Sequence, residues 1–354
     1  MKMMHSLPLL IALSLLLVSV LIFTACSGSA ETTTAASTVV TTPLCTTVPA
    51  PVTTTPHITT TVTPVTTTLP ETTTQAPVTE KEPEFVNAVF GGGPFVTGNK
   101  PVANMIKNSD FNTLMIWSVH LDEKTCDLYL NDILVVQNGK LAPGFKTATW
   151  EAFKNDCPNI TRIEISVSAW GTKDFEKIKN FIQRDGTGKD TLLYRNFKCL
   201  IEATGADAVN FDDESLYEVK PMADFAKMCI DMGCKITFCP YSSIDFWYDL
   251  YLAIGKEHVD RIYVQFYDGG AGNNVLSWVR KFGCDIIPGY WCLNGNEQPT
   301  KGKKTPAEVT KHLTDNINRV CGGFMWLFDE MMSAGTYDDY AAAIKEAGAN
   351  KQWK

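Results

Sequence analysis

From Glu84 onward, short β-rich runs alternate with helical stretches, and this alternation most narrows the folds open to the chain. The runs are "FVNAVFGG", "FNTLMIWSVH", "TRIEISVSAW", "ADAVNFDDE", "CKITFCPY", "DRIYVQFYD", "CDIIPGYW" and "GGFMWLFDE". Between them lie helical patterns that stop at Gly205, Gly233, Gly283 and Gly348, where a left-handed cap carries no Cβ penalty. Strands alternating with helices imply a parallel sheet. Eight such strands with a similar number of helices in roughly 270 residues fit a (β/α)8 TIM barrel. An open doubly wound sheet is the alternative, but "GGGP" at Gly91 to Pro94 lacks the GxGxxG register of a phosphate-binding loop and reads as a tight turn.

The fourth run raises a question of its own, because "DAVNFDDES" threads acids through residues that prefer a core. Burying ionised groups costs several kcal/mol each unless they are partnered, hence about that much must be offset here. Period-two alternation places Asn210, Asp212 and Glu214 on one face and Val209, Phe211 and Asp213 on the other. The apolar pair belongs against the helices, which puts Glu214 at the barrel mouth and turns Asp213 away from it. By the same alternation Tyr263, Gln265 and Tyr267 share a face of the sixth strand, and Glu164, Ser166, Ser168 and Trp170 a face of the third.

A barrel built for stability alone fills its interior with branched apolar residues. Satisfied buried polar groups without activity are the bland alternative. The strands end in His120, Trp170, Glu214, Tyr241, Tyr267 and Trp291, at the end of the barrel where chemistry is done. Aromatic rings mixed with acids suit a sugar, whose C–H faces stack on rings while its hydroxyls bond to acids and amides.

On these residues the chain resembles glycoside hydrolase family 18, the chitinases and endo-β-N-acetylglucosaminidases. "DAVNFDDE" is similar to the DGxDxDxE signature, "SVSAWG" sits where the family has its SxGG strand, "YVQFYDGG" is close to a YxQFYN-type sixth strand, and "GGFMWLFDE" fits the last strand. The resemblance implies that Glu214 is the general acid, that Asp212 orients the substrate's 2-acetamido group, and that Tyr267 hydrogen-bonds the acetamido oxygen. It implies that Trp326 stacks beneath the sugar at the cleavage point.

Gln265, Trp170, Tyr241, Trp291 and Asn210 complete the expected substrate-binding set. The implied activity is retaining, endo-acting hydrolysis of β-1,4 linkages in N-acetylglucosamine-containing glycans, either chitin-type oligomers or the chitobiose core of N-glycans. The nucleophile is then the substrate's own acetamido oxygen. Two departures stand out: Asn210 replaces the family's inner aspartate, and SxGG has become Ser166, Val167, Ser168 and Ala169, with Ser168 and Ala169 where the family has glycine.

Other readings stay open. A retaining enzyme with two protein carboxylates needs a nucleophile on the seventh strand, where "DIIPGYWCL" offers none and Glu297 in a glycine-rich loop is nearest. A surface glycan-binding protein on an inactive barrel is the other. Asp329 and Glu330 after the last strand bind substrate hydroxyls or sit in a solvated loop. The stretch from Trp291 to Gly322 is too short for an added α+β lobe, so an open cleft is expected.

The N-terminal segment 1–26 has Lys2, an apolar run from Leu7 to Phe23, and "FTAC". It reads as an export signal ending in a lipobox, with Cys26 lipidated and the protein anchored outside the cytoplasm. Residues 27–83 are rich in threonine and proline and read as a spacer that builds no core, leaving 84–354 as the hydrolase domain. The net charge of -8 speaks against nucleic acid as a partner, and a monomer is expected. No cofactor is implied. The 5 histidines form no metal-ligand spacing. With Cys26 and Cys45 set aside, the remaining cysteines are odd in number, lack a CxxC pair and read as buried small hydrophobes, with a disulfide framework as the alternative.

Overall fold

A computed structural model of the protein describes residues 83–353, so the signal segment, Cys26 and all but the end of the spacer lie outside the described residues. Eleven strands form one sheet: β1 Val86–Gly91, β2 Thr113–Leu121, β3 Leu128–Leu130, β4 Ile133–Gln137, β5 Lys140–Leu141, β6 Arg162–Val167, β7 Ala208–Phe211, β8 Lys235–Phe238, β9 Val259–Gln265, β10 Ile287–Trp291 and β11 Gly322–Trp326. β1, β2 and β6 to β11 pair in parallel, and β11 returns to β1, closing an 8-stranded TIM barrel. These are the eight runs read from the sequence.

Helices cover the outside. Val89, Leu114, Ile116, Ile163, Ile165, Val209, Phe211, Ile236, Phe238 and Val264 point out into a continuous apolar layer with them. Three of the four glycine stops are left-handed, Gly205 at φ 69°, Gly233 at 96° and Gly283 at 73°. Gly348 is different: the helix Tyr337–Gly348 continues into Ala349 with right-handed geometry. A glycine stands there because a Cβ would lie 2.5 Å from the Phe85 ring.

Within the barrel the interior is divided. On the β10, β11, β1 and β2 side it is apolar, with Ile287, Phe324, Ala88, Phe90 and Met115 packed together. Gly289 makes room for this packing, since a Cβ would fall 1.8 Å from Phe324 Cζ. On the β6 to β9 side it is polar and fully buried. Glu164 accepts from Arg162 Nε at 2.7 Å, the Tyr263 hydroxyl at 2.8 Å and Thr237 Oγ1 at 2.6 Å. Arg261 Nη1 lies 3.6 Å from the same carboxylate, and Arg162 forms a bidentate pair with Asp260 at 2.7 and 2.9 Å. This charged plug seals the end of the barrel opposite the mouth.

The third-strand column is shorter than its alternation implies. β6 ends at Val167, and Ser168 takes φ 78°, so the period-two register stops there. Trp170 is therefore not stacked above Ser166 in the interior; it stands on the following loop, 82% exposed. The antiparallel excursion β3–β4–β5 is a feature the strand count did not anticipate. Its signal is Asn138-Gly139, both at positive φ (52° and 73°), the pair a two-residue type I′ hairpin demands.

All cysteines in the described region are free thiols, and Cys126, Cys157, Cys229, Cys234, Cys239 and Cys292 are buried. Among the described residues no group of acids, histidines and cysteines could hold a metal ion, and no helix is long and apolar enough to cross a membrane.

Candidate active site

The C-terminal ends of the strands open into a cleft of about 740 Å³ lined by Trp117, His120, Trp170, Asp212, Glu214, Tyr241, Gln265, Tyr267, Asp268, Trp291, Lys301 and Trp326, among others. That volume falls within the range of small-molecule sites. Eight of the nine residues expected to act on substrate meet here from six different strand ends.

Asp212 and Glu214 leave β7 where the strand ends at Phe211. The side chain between them holds the geometry. Asp213 is buried on the opposite side and accepts the backbone N–H groups of Ser215, Leu216 and Tyr217 at 3.0, 3.0 and 2.8 Å. It thus closes the turn that presents Glu214.

Glu214 is half-buried, and its pKa is raised to about 7, first by burial, then by the charges of Asp268 and Asp213, against an opposing pull from the Gln265 amide. Asp212 is buried below it. Burial, and then the charge of Glu214, hold its carboxyl well above the usual carboxylate range. Gln265 Nε2 donates to Asp212 Oδ1 at 3.1 Å and to the Cys239 carbonyl at 3.0 Å. The Trp117 indole N–H is near enough to favour the Asp212 carboxylate, yet it makes no hydrogen bond of normal geometry.

The opposite wall is aromatic. Trp326 lies nearly parallel to Tyr267, with centroids 6.3 Å apart at 21°, and edge-on to Trp117 at 4.5 Å. The Trp291 indole donates to Glu330 at 2.9 Å, and Lys303 Nζ sits 4.5 Å from its ring centroid. Glu330 thus orients a ring, and Asp329 is taken up by the Gly92 backbone N–H at 2.8 Å. Glu297 pairs with Lys303 at 2.8 Å and lies outside the cleft lining.

Asn210 is the residue that the structure moves out of the substrate-binding set. It is fully buried beneath the cleft floor, accepting from Ser166 Oγ at 3.0 Å and donating through Nδ2 to Thr237 Oγ1 at 2.9 Å. Thr237 gives its only proton to Glu164, so it must accept from position 210, and an amide is what fits. Asn210→Asp is therefore expected to place a carboxylate against a lone pair. The expected cost is about 1–3 kcal/mol of folding stability, read as a lower denaturant midpoint at pH 7.

Trp117, His120, Asp268 and Lys301 complete the cleft without having been singled out as substrate-binding. Asp268 was adjacent to the recognised Tyr267, but Lys301 arrives from a loop distant in sequence. That loop is fastened by the Asp268 backbone N–H to the Lys301 carbonyl at 2.6 Å and by an ion pair between the two side chains at 3.2 Å. If Glu214 acts as an acid, the alkaline limb of the pH profile reports its proton. Asp268→Asn removes a negative charge that raises this pKa, so the limb is expected to move to lower pH, by about one pH unit or less; a kcat/KM profile checks it.

No sequence-family profile matches the chain, and no curated protein does. Solved structures do match. A family 18 chitinase from the chitin utilization locus of Flavobacterium johnsoniae aligns with a TM-score of 0.50 at 12% identity, covering 74% of this chain and 93% of that one. The fold is chitinase-like. A family 18 chitinase from Cycas revoluta, solved with (GlcNAc)3, aligns at 0.49 and 13% identity over 72% of this chain and 98% of its own. One from Crocus vernus aligns at 0.47 and 15% over 74% and 98%. At these identities the likeness concerns the fold alone.

Proposed function

We propose that the protein is a retaining endo-glycosidase that hydrolyses β-1,4 linkages of N-acetylglucosamine-containing glycans by substrate-assisted catalysis. The observation that carries this reading is Glu214. It is a half-buried carboxyl at the barrel mouth with a pKa of about 7, above a buried Asp212 and facing a cleft floored by aromatic rings. A carboxyl that keeps its proton near neutral pH can protonate a glycosidic oxygen.

As the bond to the leaving sugar breaks, the 2-acetamido oxygen attacks C1 and forms an oxazolinium. Asp212 holds the acetamido N–H, and the Tyr267 hydroxyl donates to its oxygen. Water, deprotonated by the Glu214 carboxylate, then opens the ring with net retention, the exception to catalysis by two protein carboxylates. Trp326 supports the sugar from below. The fold match to a chitinase from a chitin utilization locus supports testing this substrate class first.

Offering the full-length protein a chitin oligomer and a high-mannose glycopeptide, with products identified by mass, tests the reading. Shorter oligomers or a glycan released between the two core sugars support it. No product from either overturns it in favour of a non-catalytic glycan-binding surface protein. We also propose a lipid anchor at Cys26 that places the domain outside the cell; the mass of the mature N-terminus checks it.

A further inference from the structure

The end of β2 carries a row of side chains that the proposed chemistry leaves unused. Ser118 Oγ lies 2.8 Å from His120 Nε2, and His120 Nδ1 lies 2.8 Å from Asp174 Oδ2. This is the atom order of a hydrolytic triad, but Ser118 is fully buried and outside the cleft lining, so no substrate carbonyl reaches its hydroxyl. Asp174 is fully buried as well and accepts from the Leu121 N–H at 2.9 Å and Lys177 Nζ at 3.0 Å. Burial pushes its pKa up, but the hydrogen bonds from His120 and the Leu121 N–H help to outweigh that and hold it below its ordinary value. The ring is therefore gripped between a hydroxyl and a carboxylate, and it alone of the three reaches the cleft, with its side chain 20% exposed.

We propose that His120 is a substrate-binding contact of the cleft: a locked ring that offers a flat surface without free hydrogen-bonding groups, on which one sugar unit stacks. In either charge state both ring nitrogens are occupied, so what remains for a ligand is the ring face and its C–H edge. Pyranose C–H faces pack on such surfaces.

The lock also ties β2 to the start of the helix Asp174–Asp185, directly after the loop that carries Trp170. Within that loop Thr172 Oγ1 donates to the Ala169 carbonyl at 2.8 Å and accepts the Ala169 N–H at 3.2 Å. His120 and Trp170 are thereby held in fixed relation on the β2 and β6 side of the cleft. Burying an unpaired carboxylate at Asp174 would be costly, and its bond to His120 is part of what makes the position tolerable. The inference rests on the cleft being a glycan site, though not on which glycan it takes.

The test is binding, measured calorimetrically with full-length Glu214→Gln protein so that no probe is consumed. Chitohexaose, a high-mannose glycopeptide and cellohexaose are each titrated into protein carrying His120, His120→Ala or His120→Phe, with thermal melts alongside. His120→Ala is expected to weaken whichever glycan binds by about tenfold, and His120→Phe, which keeps a flat ring, to stay within about threefold. Alanine binding as well as histidine, or a folded phenylalanine variant as weak as alanine, overturns the proposal, as does failure to bind any of the three. If His120→Phe does not fold, Asp174→Asn, which loosens the ring, is expected to weaken binding severalfold, and unchanged affinity there overturns the proposal. Binding of cellohexaose with neither N-acetylglucosamine glycan defeats the proposed substrate class while still deciding the role of His120.

Discussion

Glu214→Gln is expected to lower kcat/KM by about 10³- to 10⁴-fold while glycan affinity stays within a few fold of the parent. The amide is nearly isosteric with the protonated carboxyl and still hydrogen-bonds a glycosidic oxygen, but it has no proton to transfer. On the proposed reading, binding rests on the other groups that line the cleft, the rings of Trp326, Tyr267, Trp117 and Trp291 and the neighbouring polar side chains. The substitution also removes the second-largest influence that holds the Asp212 pKa up, the charge of Glu214. Asp212 should then ionise more readily, a change opposite in direction to the loss of rate. Comparing single-turnover rates with calorimetric affinities checks the prediction. A variant that keeps parental turnover sinks the assignment of the acid.

Glu164→Gln is expected to cost about 3–5 kcal/mol of folding stability, a large share of the 5–15 kcal/mol that domains of this kind ordinarily have, by about the same reckoning. Glu164 is fully buried and receives Arg162, Tyr263 and Thr237, with Arg261 3.6 Å away. Arg162 keeps Asp260 as a partner, but Arg261 is left with no carboxylate in the barrel. The measurement is the urea midpoint at constant slope. A joint change of Glu164 and Arg261 to apolar residues of similar volume should recover much of the loss, because a buried pair is costly to break and much less costly to replace. Since the plug sits at the closed end, the glycan affinity of the folded fraction should not move, which separates this effect from the first.

What could be read from the sequence, and what could not, follows from the range of the interactions involved. Strand positions, outward faces and the fourth-strand split depend on alternation within a few residues, and Val209, Phe211, Asp212 and Asp213 lie on the sides that alternation assigns them. Alternation fails where the backbone leaves the strand. Ser168 at φ 78° releases Trp170 onto the rim, and no nearest-neighbour pattern encodes that. Asn210 was read on the correct face but at the wrong depth, because its height above the Glu164 plug is set by register with Ser166 and Thr237 on two other strands.

The sequence by itself determined the barrel and the placing of Asp212, Glu214 and Tyr267 at its mouth, because each is a matter of local period and strand order. Only the tertiary structure decided which groups surround them. The raised pKa of Glu214, the commitment of Gln265 to Asp212, the arrival of Lys301 beside Asp268 and the lock on His120 join residues up to 54 positions apart. Burial and charge act through space, and closure of the barrel is what brings those groups within reach.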